Sequence, residues 1–185
     1  MSTATKADMV RELRQLTGTI QSTSKEYWIA PDFSAGQTFG IAKGIVAELS
    51  GNAKTEWLLA FFKSNPEPFI FWCERETKIN PAAFYQRGVT LERIQFINST
   101  GDLAPALRLA LESNHYPFVV APSYVEDIKT FQRFNLWAEK SKSTLFFLSD
   151  KKLSTAWPIS LQLDINFSET GLEIDVIRQK HGKAL

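Results

Sequence analysis

Short apolar runs alternate with helical segments along most of this chain, and that alternation limits the fold more than any other feature. Phe69–Cys73 and Pro117–Ala121 are apolar runs of strand length, and the first is bounded by turn residues. Strands that are apolar throughout are typical of parallel sheets covered on both faces. Val125–Lys140 carries apolar residues at helical spacing. The sequence therefore predicts an α/β fold, a mostly parallel sheet with helices on both faces.

The two ends of the chain are predicted to differ from this middle. Ser160–Phe167 and Gly171–Lys180 alternate apolar and polar residues, which indicates a C-terminal antiparallel hairpin at the edge of the sheet. Residues 1–26 are predicted to hold a short helix and a Ser/Thr/Gly-rich linker. We therefore expect the folded domain to span residues 27–185.

Composition excludes several classes of protein. The chain has 185 residues, 44% of them hydrophobic, which is enough for one domain with a real core. Its 21 basic and 20 acidic residues give a net charge of +1, so no strong field attracts nucleic acid or a membrane. One cysteine and two histidines make a disulfide framework or a zinc site improbable. With no apparent signal peptide or transmembrane run, a cytoplasmic location is expected.

The segment Lys43–Phe62, KGIVAELSGNAKTEWLLAFF, predicts a strand, a glycine turn and a helix. Many proteins bind nucleotide phosphates on such a unit, through the pattern G-x-x-x-x-G-K-[ST]. Gly51–Thr55 keeps a Gly and a Lys-Thr pair but has a shorter spacing and lacks the second Gly. Lys54 and Thr55 either contact a phosphate at the helix N-terminus or serve as a solvated lysine and an N-cap. The second interpretation is favoured.

Glu74 and Glu76 flank the end of a predicted buried strand, where α/β proteins place ligand sites. They are candidate site residues, although two exposed loop carboxylates would have the same pattern. Cys73 is expected to be a small core residue, since no base stands near it in the sequence. His115, at a helix–strand turn, is expected to be a surface or capping group.

Four segments resemble the RecA-like ATPase core. In chain order they are GIVAELSG with the following KT, FIFWCERETKINPAAFYQRGVTLERIQFI, PFVVAPSY, and GLEIDVIRQKHG. The resemblance implies a three-layer α/β/α domain with a degenerate nucleotide site formed by Lys54, Thr55, Glu74 and Glu76. The family's Walker B acid would fall at Ala121 or Pro122, and neither side chain can ligate Mg²⁺. Fold retention without ATP hydrolysis is therefore expected, with no catalytic residue, metal or cofactor.

A RecA-like fold without its ATP site resembles two bacterial damage-response families. The resemblance to ImuA, the accessory protein of the translesion mutagenesis cassette, extends over the whole chain, whereas that to the division inhibitor SulA covers mainly VTLERIQFINSTGDLAPALRLALESNHYPFVVA. The resemblance to ImuA implies a non-catalytic adaptor of the SOS response. Its expected partners are an ImuB-like Y-family polymerase homologue, RecA, or both. The alternatives are a divergent P-loop ATPase or RecA-like recombination protein, and a SulA-like inhibitor of FtsZ.

Basic residues near the C-terminus form a further candidate site. Arg178, Lys180 and His181 resemble the basic tail of RecA-like ATPases, which implies a partner or phosphate contact; a solvated terminus is the alternative. A second group surrounds one predicted strand and consists of Lys140, Lys142, Lys151 and Lys152. It lacks interleaved aromatic residues, so at most weak, salt-sensitive DNA binding is expected.

Overall fold

A computed structural model describes residues 26–31, 40–76, 79–123, 127–151, 153 and 157–180. The predicted N-terminal helix and the linker up to residue 25 lie outside the described residues. Nine strands and four α-helices are present in the described part of the chain. The strands are β1 (Tyr27–Ile29), β2 (Gly40–Ala42), β3 (Val46–Ser50), β4 (Ile70–Glu74), β5 (Ile94–Asn98), β6 (Phe118–Pro122), β7 (Thr144–Leu148), β8 (Leu161–Ser168) and β9 (Gly171–Gln179). The helices are α1 (Lys54–Ser64), α2 (Pro81–Gln86), α3 (Ala104–Glu112) and α4 (Ile128–Ser141), with a 3-10 turn at Leu91–Arg93.

Seven strands form one sheet in the order β5-β4-β6-β7-β3-β8-β9. Every neighbouring pair from β5 to β8 is parallel, and only β8 and β9 are antiparallel. The predicted mostly parallel sheet and its C-terminal antiparallel hairpin are therefore confirmed. β1 and β2 form a separate two-stranded antiparallel sheet.

Alternate residues of the central strands enter two core clusters, one on each face of the sheet. Trp72 and Phe118 join the cluster that contains α1 and α2 side chains. Phe71 and Val119, their neighbours in sequence, join the cluster that contains α3 and α4 side chains. Because successive strand residues point to opposite faces, this division places helices on both sides of the sheet. The architecture is a three-layer α/β/α domain, as the sequence predicts.

Aromatic rings fill the first of these clusters. Phe61 of α1 contacts Trp57, Phe118 and Phe146, with ring centroids between 5.2 and 5.6 Å apart. All four side chains are fully buried. Burial of such a side chain contributes about 1.5–3 kcal/mol of transfer free energy, so this cluster fixes α1 against the sheet.

The end of α1 is held by contacts from distant parts of the chain. Asn65, its C-cap, accepts a hydrogen bond from the Ile29 backbone N–H and donates one to the Ile29 carbonyl. Arg93 is buried and donates to the carbonyls of Phe62, Asn65 and Pro68. The bond to Phe62 satisfies a carbonyl of the last helical turn, which has no partner within the helix. Burial lowers the pKa of the Arg93 guanidinium.

Candidate functional site

The carboxyl ends of three parallel strands (β4, β6 and β7) and the start of α1 surround a cavity of about 300 Å³, which we call the carboxyl-end cleft. The residues that line it are Lys54, Trp72, Cys73, Glu74, Arg75, Glu76, Pro122, Leu148 and Asp150. β4 and β6 are neighbours in the sheet, but the helices that follow them pack on opposite faces. Adjacent strands whose connections diverge in this way form the crevice in which α/β proteins bind ligands.

A close approach to β8 shapes the turn between β3 and α1. Gly51 has φ +90°, and a Cβ at that position would lie 2.1 Å from the Ile165 carbonyl oxygen. Only glycine fits there, because any side chain would meet backbone. Two residues on, the Ala53 N–H donates to the same Ile165 oxygen at 3.0 Å. The turn is therefore built against the neighbouring strand.

Two asparagines, Asn52 and Asn166, complete this attachment. We call the bonds that Asn52 and Ala53 make to β8 the turn latch. The Asn52 N–H donates to Asn166 Oδ1 at 3.2 Å, and Asn52 Oδ1 accepts from the Phe167 N–H at 2.9 Å. A phosphate cradle needs successive backbone N–H groups that converge on the anion. The N–H groups of Asn52 and Ala53 already bond to β8, so they do not offer such a cradle.

Lys54 is the first residue of α1, and its side chain enters the carboxyl-end cleft. Its Nζ lies 3.2 Å from Asp150 Oδ1 and 3.3 Å from the Gly51 carbonyl oxygen. The helix N-cap is Ala53, which has no side chain able to cap, so the interpretation of Thr55 as an N-cap is wrong. Thr55 lies one residue inside the helix and is not among the residues that line the cleft. The ion pair also contradicts the view of Lys54 as a solvated loop residue.

Glu74 ends β4 and is half-buried, whereas Glu76 is exposed on the rim of the cleft. Both carboxylate oxygens of Glu74 accept hydrogen bonds, from Trp72 Nε1 at 3.2 Å and from the Ile79 N–H at 3.3 Å. Glu74 is therefore part of the strand end, and the interpretation of two exposed loop carboxylates holds for Glu76 only. These bonds fix its orientation toward the cleft.

The end of β6 offers no side chain that could ligate Mg²⁺. β6 ends in Ala121, which is buried, and Pro122, which lines the cleft. The acid on this part of the rim is Asp150, after β7, and it pairs with Lys54. Among the described residues, no group of three or more His, Cys, Asp or Glu side chains is arranged to hold a metal ion.

Cys73 is buried at the end of β4, as the sequence predicts. Burial, and then the charge of Glu74, raise the pKa of its thiol, so the thiolate is disfavoured. His115 stacks on Phe69 with ring centroids 4.8 Å apart, on the surface and away from the cleft. Neither residue has the environment of a nucleophile or a general base.

An apolar slot of about 220 Å³ adjoins the cleft and shares Trp72 and Glu74 with it. Its remaining lining residues are Ile79, Pro81, Phe96, Ile97 and Asn98. Sequence reasoning missed this slot, because its walls come from three segments that meet only in the folded chain. The one available signal was Phe96, an aromatic residue in the strand that pairs with β4.

The basic residues do not gather at the cleft. β9 runs antiparallel to β8, so Arg178 and Lys180 lie at the opposite, amino-terminal edge of the parallel sheet from Lys54. Arg178 Nη1 donates to the Trp157 carbonyl oxygen at 2.7 Å. His181 lies outside the described residues. Within one chain, the described part of this basic candidate site is therefore separate from the cleft.

The lysine group around β7 is divided in the same way. Lys140 and Lys142 precede β7 and Lys151 follows it, so about 16 Å of strand separates them. Lys152 lies outside the described residues. The described lysines do not form one continuous basic surface.

No protein-family model matches this sequence, and a search of curated proteins finds no match either. No α-helix in the described part of the chain is long and apolar enough to span a bilayer.

Proposed function

We propose that this chain is a non-catalytic adaptor, related to RecA-like ATPases in its scaffold, that binds protein partners and does not hydrolyse ATP. The observation that carries the proposal is the turn latch, in which the N–H groups of Asn52 and Ala53 bond to β8. The end of β6 supports it, because Ala121 and Pro122 offer no carboxylate for Mg²⁺. A scaffold that lacks both the phosphate-binding N–H groups and the Mg²⁺ carboxylate keeps its surfaces for binding partners but cannot activate a phosphate.

The rim of the carboxyl-end cleft is the proposed contact surface. It combines the exposed charges of Arg75, Glu76 and Asp150 with a floor that includes Trp72 and Leu148. An apolar centre within a polar rim is the usual anatomy of a protein interface. The resemblance to ImuA makes an ImuB-like polymerase homologue the first partner to test, and RecA the second.

Isothermal titration of the chain with an ImuB-like protein tests this function. We expect binding, with an affinity weakened about tenfold by Glu76→Arg on the rim, since reversed charges oppose the partner. Glu92→Arg, an exposed carboxylate outside the cleft, is the matched control and should bind normally. If neither the ImuB-like protein nor RecA binds at protein concentrations of about 50 μM, the adaptor proposal is refuted.

A divergent ATPase is the second candidate, because the structure does bring Lys54, Glu74 and Glu76 to one cavity. Its test is a thermal shift and turnover assay with Mg-ATP, on the wild-type chain and on Lys54→Ala. The adaptor proposal expects no turnover and no ATP-dependent stabilisation. Turnover that Lys54→Ala abolishes would replace it with the enzyme.

Two further roles rest on the resemblance and on charge. A SulA-like inhibitor would produce filamentous cells on overexpression, whereas the adaptor leaves division normal. A DNA-binding mediator would bind single strands with an affinity that falls steeply with salt. The separation of Lys140 and Lys142 from Lys151 favours the adaptor over the mediator.

A further inference from the structure

β9 is the outermost strand of the seven-stranded sheet, and among the described residues it pairs only with β8. None of its nine residues is buried. Alternate residues of an edge strand direct their N–H and C=O groups outward, and this row is a template for another strand. Among the described strands none pairs with the outer edge of β9, so the outward N–H and C=O groups of its alternate residues offer a row for pairing.

Apolar side chains are incompletely covered along this strand. Leu172 and Ile174 pack against the core yet remain partly exposed, and at the centre Val176 and Ile177 are 51% and 43% exposed. The opposite edge strand, β5, is only five residues long. β9, with nine residues, therefore offers the longer edge for extending the sheet.

A bulge in β9 sorts its charges onto one face. Asp175 lies opposite Asp164 and Arg178 opposite Gln162, with a register shift between them. Glu173 lies opposite Asn166, and the Lys180 N–H bonds to Ser160. The residues of β8 in these contacts are all even-numbered, so their partners share one face. Without the bulge, the acidic and basic side chains would point to opposite faces.

The order of these charges is self-complementary. Glu173 and Asp175 occupy the first half of the strand, and Arg178 and Lys180 follow the bulge. When a second copy approaches antiparallel, its basic half lies across from the acidic half of the first, and the reverse contact is made by symmetry. A parallel approach would place like charges together, which is unfavourable.

We propose that β9 pairs antiparallel with β9 of a second copy, around a two-fold axis near Val176 and Ile177, to form one continuous sheet. The apolar centre is then covered, and the charges of Glu173, Asp175 and Lys180 meet opposite charges across the axis. This dimer uses neither the carboxyl-end cleft nor the turn latch. It therefore stands independently of the adaptor function.

The interface is small, so the dimer dissociates readily. Pairing of two nine-residue edges buries less than the roughly 1,200 Å² of a stable complex. We expect a dissociation constant on the order of 10 μM. The charged contacts are exposed, so dimerisation weakens as salt rises.

Sedimentation equilibrium of the whole chain, from about 1 μM to about 500 μM, tests the proposal. Glu173→Lys or Lys180→Glu alone should weaken dimerisation about tenfold, because each reversal affects two symmetric contacts. The double variant Glu173→Lys with Lys180→Glu should recover the wild-type constant. Ile177→Lys at the centre should leave a monomer, whereas Leu109→Lys, at an exposed apolar position on α3, should still dimerise.

Thermal melts will establish that each variant is folded, and Val176→Lys replaces Ile177→Lys if the latter unfolds. A wild-type chain that stays monomeric over the whole range overturns the proposal, whether β9 is free or covered by another segment. So does a dimer that Ile177→Lys and Val176→Lys both leave intact. Failure of the double charge swap to restore dimerisation would overturn the antiparallel register.

Discussion

Replacement of the buried Arg93 by methionine should destabilise this fold far more than the same replacement of the exposed Arg87. Its guanidinium donates to the carbonyls of Phe62 at 2.6 Å, Asn65 at 2.7 Å and Pro68 at 3.0 Å. Arg93 is 7% exposed, so water has little access to these carbonyls. Methionine fills a similar volume but removes all three bonds, and the Phe62 carbonyl keeps only the one from the Asn65 backbone N–H.

The magnitude follows from these three bonds. A hydrogen bond to a charged group contributes about 1.5–3 kcal/mol, and three bonds from one side chain are not additive. Removal of Arg93 also relieves the cost of burying a charge, which is visible in the lowered pKa of its guanidinium. We expect the free energy of unfolding to fall by about 3–5 kcal/mol, with a Tm lower by about 6–20 °C.

Urea denaturation followed by tryptophan fluorescence measures this change. Arg87→Met is the matched control, because Arg87 forms an exposed ion pair with Glu56 and its loss should cost less than about 1 kcal/mol. Arg93→Lys keeps the charge but cannot reach all three carbonyls, so an intermediate loss is expected. If Arg93→Met costs no more than Arg87→Met, the carbonyls are hydrated and the reasoning is refuted.

Three further predictions concern the turn, a helix cap and the thiol. Gly51→Ala should lower the free energy of unfolding by at least about 3 kcal/mol in denaturation, because its Cβ would meet the Ile165 carbonyl and its φ is positive. Hydrogen bonds from Thr130 lower the pKa of Asp127 in the folded state, so its carboxylate stabilises the fold at pH values above the unfolded pKa of about 3.9. That stabilisation is lost as the pH falls through the lower pKa of the folded state. Asp127→Asn keeps the cap without titrating, and its melting temperature should fall less between pH 5 and pH 2 than that of wild type; an equal fall would contradict this. Cys73 should react with a thiol reagent only after unfolding, since burial raises its pKa; rapid labelling of the native chain would show otherwise.

Much of the fold was predictable because it depends on local periodicity. The apolar run Phe69–Cys73 could be satisfied only in a buried strand, and the alternation in Gly171–Lys180 only in a half-exposed one. The pair Asn80-Pro81 is a local signal for a helix start, and Asn80 caps α2 by accepting a hydrogen bond from the Ala82 N–H. Each of these signals is carried by residues close together in the chain.

The candidate site was predictable only in part. The position of Glu74 at the end of a buried strand indicated the carboxyl-end cleft, because parallel strands end at one edge of the sheet. The partner of Lys54 was not predictable, since Asp150 lies 96 residues away. The resemblance marked Arg178 and Lys180 as a partner or phosphate contact but did not indicate their position, and the direction of β9 places them at the edge opposite the cleft.

By itself, the sequence determined the strands and helices of the main sheet, and that this sheet is parallel with a closing hairpin, because burial and periodicity act over a few residues; it did not indicate β2, which among the described strands pairs only with β1. Only the tertiary structure decided the order of the strands and the polar contacts between segments that are distant in the sequence. It placed β3 between β7 and β8, so that Asn52 meets Asn166, 114 residues away, and the glycine turn is latched against β8. It also placed Arg93 over the end of α1. Such contacts join polar groups that are distant in sequence and become neighbours only once the strand order is set, so no local pattern encodes them.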